Sequence, residues 1–192
     1  MKPSTELRAW VDEAIQSLGY IKPEVASRLV RLIQRNENQH PKQIATSHRK
    51  EGEQLSSEEK KALGLRANAM MSRDALGDLT DKGLTVPLAA HEQTILRASL
   101  AWGRAKSIAS ESDMGVSKWE CLAPFPADCP GCKRLDGKVL SVSDVAPIGP
   151  HDCFREACAI SFAPQIDENF MAQSQPSKPP SRQISKPWWK FW

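Results

Sequence analysis

The first third of the chain alternates apolar stripes with polar faces at helical spacing. Leu7, Trp10, Val11, Ala14, Ile15 and Leu18 recur every three or four residues, the repeat that puts side chains on one face of an α-helix. Ser4 or Thr5 stands at the N-cap position, and Gly19 stands where a helix stops. Pro23 suits the first position of a second helix, whose stripe is Val25, Ala26, Leu29, Val30 and Ile33 and which runs out near Asn36. The two segments are expected to pack as a helical hairpin. From Asn36 to Leu55 the pattern is lost, so residues 36–55 read as a polar linker in which His40 and His48 are solvated and carry no role. Ser56 and Glu59 then form a capping box, predicting a helix through Ala62, Leu65, Ala69, Met70 and Leu76 toward Leu79, with Gly64 and Gly77 as weak points. Pro87 opens the longest predicted helix, which extends to about Asp113. Its expected inner face is Leu88, Ile95, Ala98, Trp102, Ala105 and Ala109, small enough in part for a neighbouring helix to approach closely.

Beyond Gly115 the period changes from helix to strand. Trp119 and Cys121 alternate with Lys118 and Glu120, as in a half-buried strand, which makes Cys121 a packed residue rather than a ligand. Asp136-Gly137, between Lys-Arg-Leu135 and Lys-Val139-Leu140, is the signal of a type I′ hairpin. The fold class expected is therefore mainly α with a small β-hairpin zinc-knuckle module (α+β) and a disordered C-terminal tail. The units are a helical domain over 1–115, a cysteine module over 116–166 and a Pro/Ser-rich tail over 167–192.

Composition narrows the function classes. Lysine and arginine number 26 against 23 acidic residues, for a net charge of +3, too balanced for a chain dedicated to nucleic acid. No apolar run approaches a bilayer span and the N-terminus has no secretory core, so the expected location is the cytoplasm, with a virion or a peripheral membrane position as the alternatives. In that reducing compartment paired cysteines point to metal or redox chemistry rather than to disulfides.

Four of the five cysteines form such pairs, Cys129-Pro-Gly-Cys132 and Cys153-Phe-Arg-Glu-Ala-Cys158. Two pairs brought together by a turn supply four thiolates, a closed tetrahedral site for structural Zn²⁺ with no open position for water. His151 is the alternative ligand to Cys153. Four thiolates and Zn²⁺ carry a net charge of −2, which the nearby Lys133, Arg134, Lys138 and Arg155 compensate. Three other readings of these residues stay open. The cysteines can serve simply as small core residues. The C-x-x-C spacing is also that of a thiol-disulfide oxidoreductase, although no βαβ context accompanies it. Arg97, Arg104, Lys133 and Arg134 are candidate nucleic-acid contacts.

The segment from Arg97 to Arg104, Gly115-Val116-Ser-Lys-Trp119, the run Cys129-Pro-Gly-Cys132-Lys-Arg-Leu135-Asp136-Gly137-Lys-Val139 and the Pro-His151-Asp-Cys153 return together resemble the C-terminal domain of phage Mu F-like minor head (head morphogenesis) proteins. The resemblance implies helices followed by a small cysteine-bearing β module, acting in capsid assembly and DNA packaging beside a capsid or portal component, without catalysis. The family closes its return with a compact Cys-Arg-Cys, where this chain has Cys153-Phe-Arg-Glu-Ala-Cys158, and the resemblance does not extend into residues 1–87.

The chain ends in Trp188-Trp189-Lys190-Phe191-Trp192 after a linker rich in proline and serine. Trp188, Trp189, Phe191 and Trp192 are candidate partner-binding residues, suited to a protein groove or to a membrane surface. With no Ser/His/Asp or paired-carboxylate constellation in the sequence, the expected function is a non-enzymatic, zinc-stabilised adaptor.

Overall fold

The computed structural model describes residues 6–124, 129–148 and 157–166. Helix α1 spans Leu7–Leu18, with Leu7, Val11, Ala14, Ile15 and Leu18 buried and Gly19 as its C-cap. Glu6 occupies the N-cap without a side-chain cap bond; Ser4 and Thr5 lie outside the described residues. A short 3₁₀ turn, Pro23–Val25, leads into α2, Ala26–Arg35, which packs against α1 as the two stripes require.

The stretch read as a linker is helical instead. Helix α3, Pro41–Lys50, has Pro41 at its first position, and the His40 side chain accepts a hydrogen bond from the Lys42 amide. It buries Ile44, Ala45, His48 and Arg49 against the long helix. An apolar stripe is missing because half of the inward face is polar. Arg49 donates to the Leu88 carbonyl at 3.0 Å and to Glu92 at 3.0 Å, so its burial is matched by hydrogen-bond partners rather than by hydrophobicity.

The capping box at Ser56 and Glu59 forms in both directions. The helix it opens, α4, is only Ser57–Ala62, and a separate α5, Arg73–Gly77, follows after irregular chain. The single helix expected from 56 to 79 is broken where Gly64 takes φ +68°, a left-handed conformation that ends a helix. Helix α6, Asp81–Leu84, is capped by the Thr80 hydroxyl.

Helix α7, Pro87–Asp113, has 27 residues and runs roughly 40 Å. It contacts α1, α2, α3 and the sheet. Elements on several sides replace a single apolar stripe. Ile95, Ala98 and Ala105 are buried as expected, whereas Leu88, Trp102 and Ala109 are half-buried and His91, Thr94, Ala101 and Ile108 fill the remaining interior positions.

Strand β1, Lys118–Leu122, is the centre of a three-stranded antiparallel sheet of order β2-β1-β3, with β2 Val139–Ser141 and β3 Ser161–Pro164. Trp119 and Cys121 face inward, as the alternation predicts. The β-hairpin expected at Asp136-Gly137 is not there. Lys133, Arg134 and Leu135 belong to a short helix, α8 (Pro130–Leu135), and β2 pairs with β1. Asp136 at φ −55°, ψ 129° followed by Gly137 at φ +72°, with the Lys138 amide bonded to the Leu135 carbonyl, make a type II turn. Type I′ needs positive φ at both central residues. Here the Asp136 carboxylate accepts from the Ala123 amide at 2.9 Å instead, fixing the turn against the end of β1.

Candidate metal centre

The cysteines converge because three elements deliver them to one place. Strand β1 turns Cys121 inward, Cys129 caps α8 with Pro130 behind it, Cys132 lies on the buried side of α8, and Cys158 arrives just before β3. Together with Ile160 these four cysteines form one buried cluster, flanked by Ala123, Leu135, Leu140 and Phe162. All four are free thiols. Cys132 Sγ lies 3.8 Å from Cys158 Sγ. Two sulfurs bound at 2.3 Å to one tetrahedral zinc stand about 3.8 Å apart, which is also the distance of a weak thiol–thiol hydrogen bond. Cys132 touches both Cys129 and Cys158. Among the described residues no three of these sulfurs all lie within 4.8 Å of one another. Cys153 and His151 lie outside the described residues, as do Trp188, Trp189, Phe191 and Trp192.

Burial, reinforced by Cys129 and Cys158, pushes the Cys132 thiol upward, and burial raises Cys121 to about 11.

The candidate nucleic-acid cations divide into two groups. Arg97 is bonded to Glu13 on α1 at 2.7 and 3.0 Å, and Arg104 donates to the Pro147 carbonyl at 2.8 Å and to the Cys158 carbonyl. These two arginines tie α7 to the hairpin of α1 and α2 and to the cysteine cluster. Lys133 and Arg134 are exposed on α8. The seam between body and module also holds Trp119, fully buried, whose indole donates to Glu111 of α7.

A second cluster stands in the helical body, and it overturns the reading of His48 as solvated. His48 on α3, Asp78 just after α5 and His91 on α7 are 4%, 5% and 0% exposed. Their ligand atoms all lie within 4.8 Å of one another, the one such set of three among the described residues. His48 Nε2 is 2.9 Å from Asp78 Oδ2, while Arg28 pairs with the other carboxylate oxygen. His91 Nδ1 is 3.2 Å from the Pro87 carbonyl, and its Nε2 is buried without a partner. The imidazole rings are 5.2 Å apart. Burial lowers His48 to about 4, with Arg28 and Arg49 adding to it, and His91 to about 3, so both rings are neutral at pH 7. The Asp78 carboxylate by itself would favour a charged His48, but Arg28 already neutralises it. The sequence did carry a signal for this cluster. His48 falls one turn after Ile44, and His91 one turn before Ile95, so each sits on the buried face of its helix.

Comparison of the chain with protein-family models, with curated proteins and with solved structures returns no match. The likeness to minor head proteins therefore rests on the motif residues alone. Among the described residues no helix is long and apolar enough to cross a membrane.

Proposed function

We propose that this chain is a non-enzymatic interaction protein in which a helical body carries a zinc-stapled cysteine module, working as an adaptor of the minor-head type toward a protein partner. The observation that supports it is the gathering of Cys129, Cys132 and Cys158 into one buried cluster, 0–4% exposed, from segments far apart in the chain. Cys153 completes four thiolates, with His151 as the substitute. Zn²⁺ bound there closes the cluster and leaves no coordination site for substrate. The apolar cluster is small for a unit that must hold a sheet and a helix together, so metal binding and folding of the module are coupled. The exposed Lys133 and Arg134, which follow Cys132 on α8, would offset the negative charge of a thiolate-bound Zn²⁺.

Metal analysis of full-length protein purified without added zinc tests this reading. The expected result is one equivalent of zinc bound through thiolates, lost in Cys129→Ser together with the stability of the module. A thiolate-bound content below about half an equivalent, with Cys129→Ser as stable as the parent, overturns it.

A further inference from the structure

We infer that His48, Asp78 and His91 form a second metal site, which binds one divalent first-row transition cation of borderline character, Zn²⁺ or Co²⁺, independently of the cysteines. The ligand set is two imidazoles and one carboxylate, the donors such ions take. Zinc bonds to nitrogen and oxygen of 2.0–2.2 Å require ligand atoms about 3.2–3.6 Å apart. These three, all within 4.8 Å of one another, need only a small inward adjustment.

The hydrogen-bonding state of His91 carries the argument. A carbonyl oxygen only accepts, so the contact with Pro87 means that Nδ1 holds the ring proton and Nε2 presents its lone pair. That lone pair is buried, has no hydrogen-bond donor and belongs to the set facing His48 and Asp78. An orphaned buried acceptor costs about 1–3 kcal/mol in a purely structural core. In a metal site it is the ligand, and the Nδ1–H···O=C bond is the outer-shell contact that fixes the tautomer of metal-binding histidines. Asp78 has the same support, since Arg28 holds one oxygen and leaves the other toward His48.

Charge limits the affinity without forbidding binding. Arg28 and Arg49 both oppose a cation, but Arg49 is paired with Glu92 and the Arg28 side chain is 41% exposed, where solvent screens it. His48 coordinates through Nε2 once its ring proton passes to Nδ1, so no proton leaves that ring. The bound ion would join α3, the chain after α5 and α7, adding to the Arg49–Glu92 pair that already ties α3 to α7.

Full-length protein stripped with EDTA and titrated with Co²⁺ separates this site from the cysteine cluster, because thiolate-bound cobalt shows sulfur-to-metal charge-transfer bands and a nitrogen/oxygen site shows only weak visible bands. The wild type is expected to show both components. His91→Gln should lose the thiolate-free component, with cobalt affinity there falling at least about tenfold, and should keep the charge-transfer bands. Cys129→Ser/Cys132→Ser should do the reverse, and added Zn²⁺ should raise its Tm. If His91→Gln fails to fold, the wild-type spectrum and the Tm of the double serine variant decide. A wild type with no thiolate-free component, or a double serine variant whose Tm does not move in zinc up to about 1 mM, overturns the site. Because the charge-transfer bands report the cysteines alone, failure there leaves this inference standing and the converse also holds.

Discussion

The helical body and the cysteine module both place polarisable or ionisable groups at their centres, but they support them differently. In the body, sixteen buried apolar residues from Leu7 to Ala98 make one continuous cluster around α1, α2, α3 and α7. The polar groups beside it, His48, Arg49 and Asp78, are held by partners from other helices. In the module one cluster consists of four thiols and Ile160, whose thiols offer one another only weak hydrogen bonds, and a second, Val116, Trp119 and Val145, packs with Ile108 of α7. Apolar area thus orders the body through one large cluster, whereas the module divides its interior between the thiols and the seam at Trp119, and the proposed zinc would supply the rest of its cohesion. Arg104, Trp119 and Glu111 join the two at the seam.

The contrast is broken most sharply at Asp78. In metal-free protein Asp78→Ala leaves Arg28 without its carboxylate and the buried His48 without its hydrogen-bond partner. Arg28 is 41% exposed and screened by solvent, so the cost is mainly that of the buried His48 donor left unpaired, up to about 3 kcal/mol. Urea denaturation in EDTA should show that loss in the helical transition while the module's thiols keep their accessibility to alkylation. A loss below about 1 kcal/mol would mean that apolar packing alone carries the body.

Acid sharpens the same contrast with a smaller effect per group. His48 at about 4 and His91 at about 3 bind protons more weakly in the folded chain than at the unfolded value of 6.5. The unfolded state therefore takes up more protons below pH 6.5, and stability, complete above that pH, falls as pH drops from 6.5 toward about 4. At pH 5 the loss is about 2 kcal/mol for each histidine that stays neutral. The groups facing this pair are Arg28 on α2, Arg49 on α3, Asp74 on α5 and Asp78. His48→Gln/His91→Gln should flatten the slope between pH 6.5 and 5 in EDTA. An unchanged slope would assign the acid sensitivity to carboxylates elsewhere.

Those two histidines also mark where the sequence stopped being legible. Helices α1 and α2, the Ser56 cap and the inward alternation of Trp119 and Cys121 follow from periodicity and capping chemistry, because apolar residues there face one environment, while α7 was legible in extent but not in its inner face, since neighbours pack on several of its sides. Helix α3 was missed since its interior face is half polar, and hydrophobic periodicity does not register a buried His48 or Arg49 whose tertiary partners Asp78, Leu88 and Glu92 lie thirty or more positions away. The break at Gly64 and the helix at α8 were local contests. Gly64 took a left-handed conformation, and Pro130 at a first helical position outweighed the strand signal of Lys-Arg-Leu135. Of the candidate site, the spacing of Cys129 and Cys132 could be read directly. The convergence of Cys158 depends on long-range packing that no spacing encodes, and the spacing of His48 from Ile44 and of His91 from Ile95 marks buried helix faces without showing that they meet at Asp78.

The seam gives the finest test of the comparison. The guanidinium of Arg104 reaches from α7 to the Pro147 and Cys158 carbonyls, two charge-assisted bonds to backbone just ahead of β3 and after β2. Arg104→Ala removes both and leaves the two carbonyls without that donor. The expected cost is about 1.5 kcal/mol. If the body is self-sufficient and the module is not, that loss falls on the module alone. Alkylation of Cys158 should accelerate roughly tenfold in metal-free protein, as about 1.4 kcal/mol of local opening free energy disappears. The exchange of α1 and α2 amides should stay at the parent rate. Faster exchange in α1 would instead make α7 the conduit of one cooperative unit, with the cysteine module as part of the body's own core.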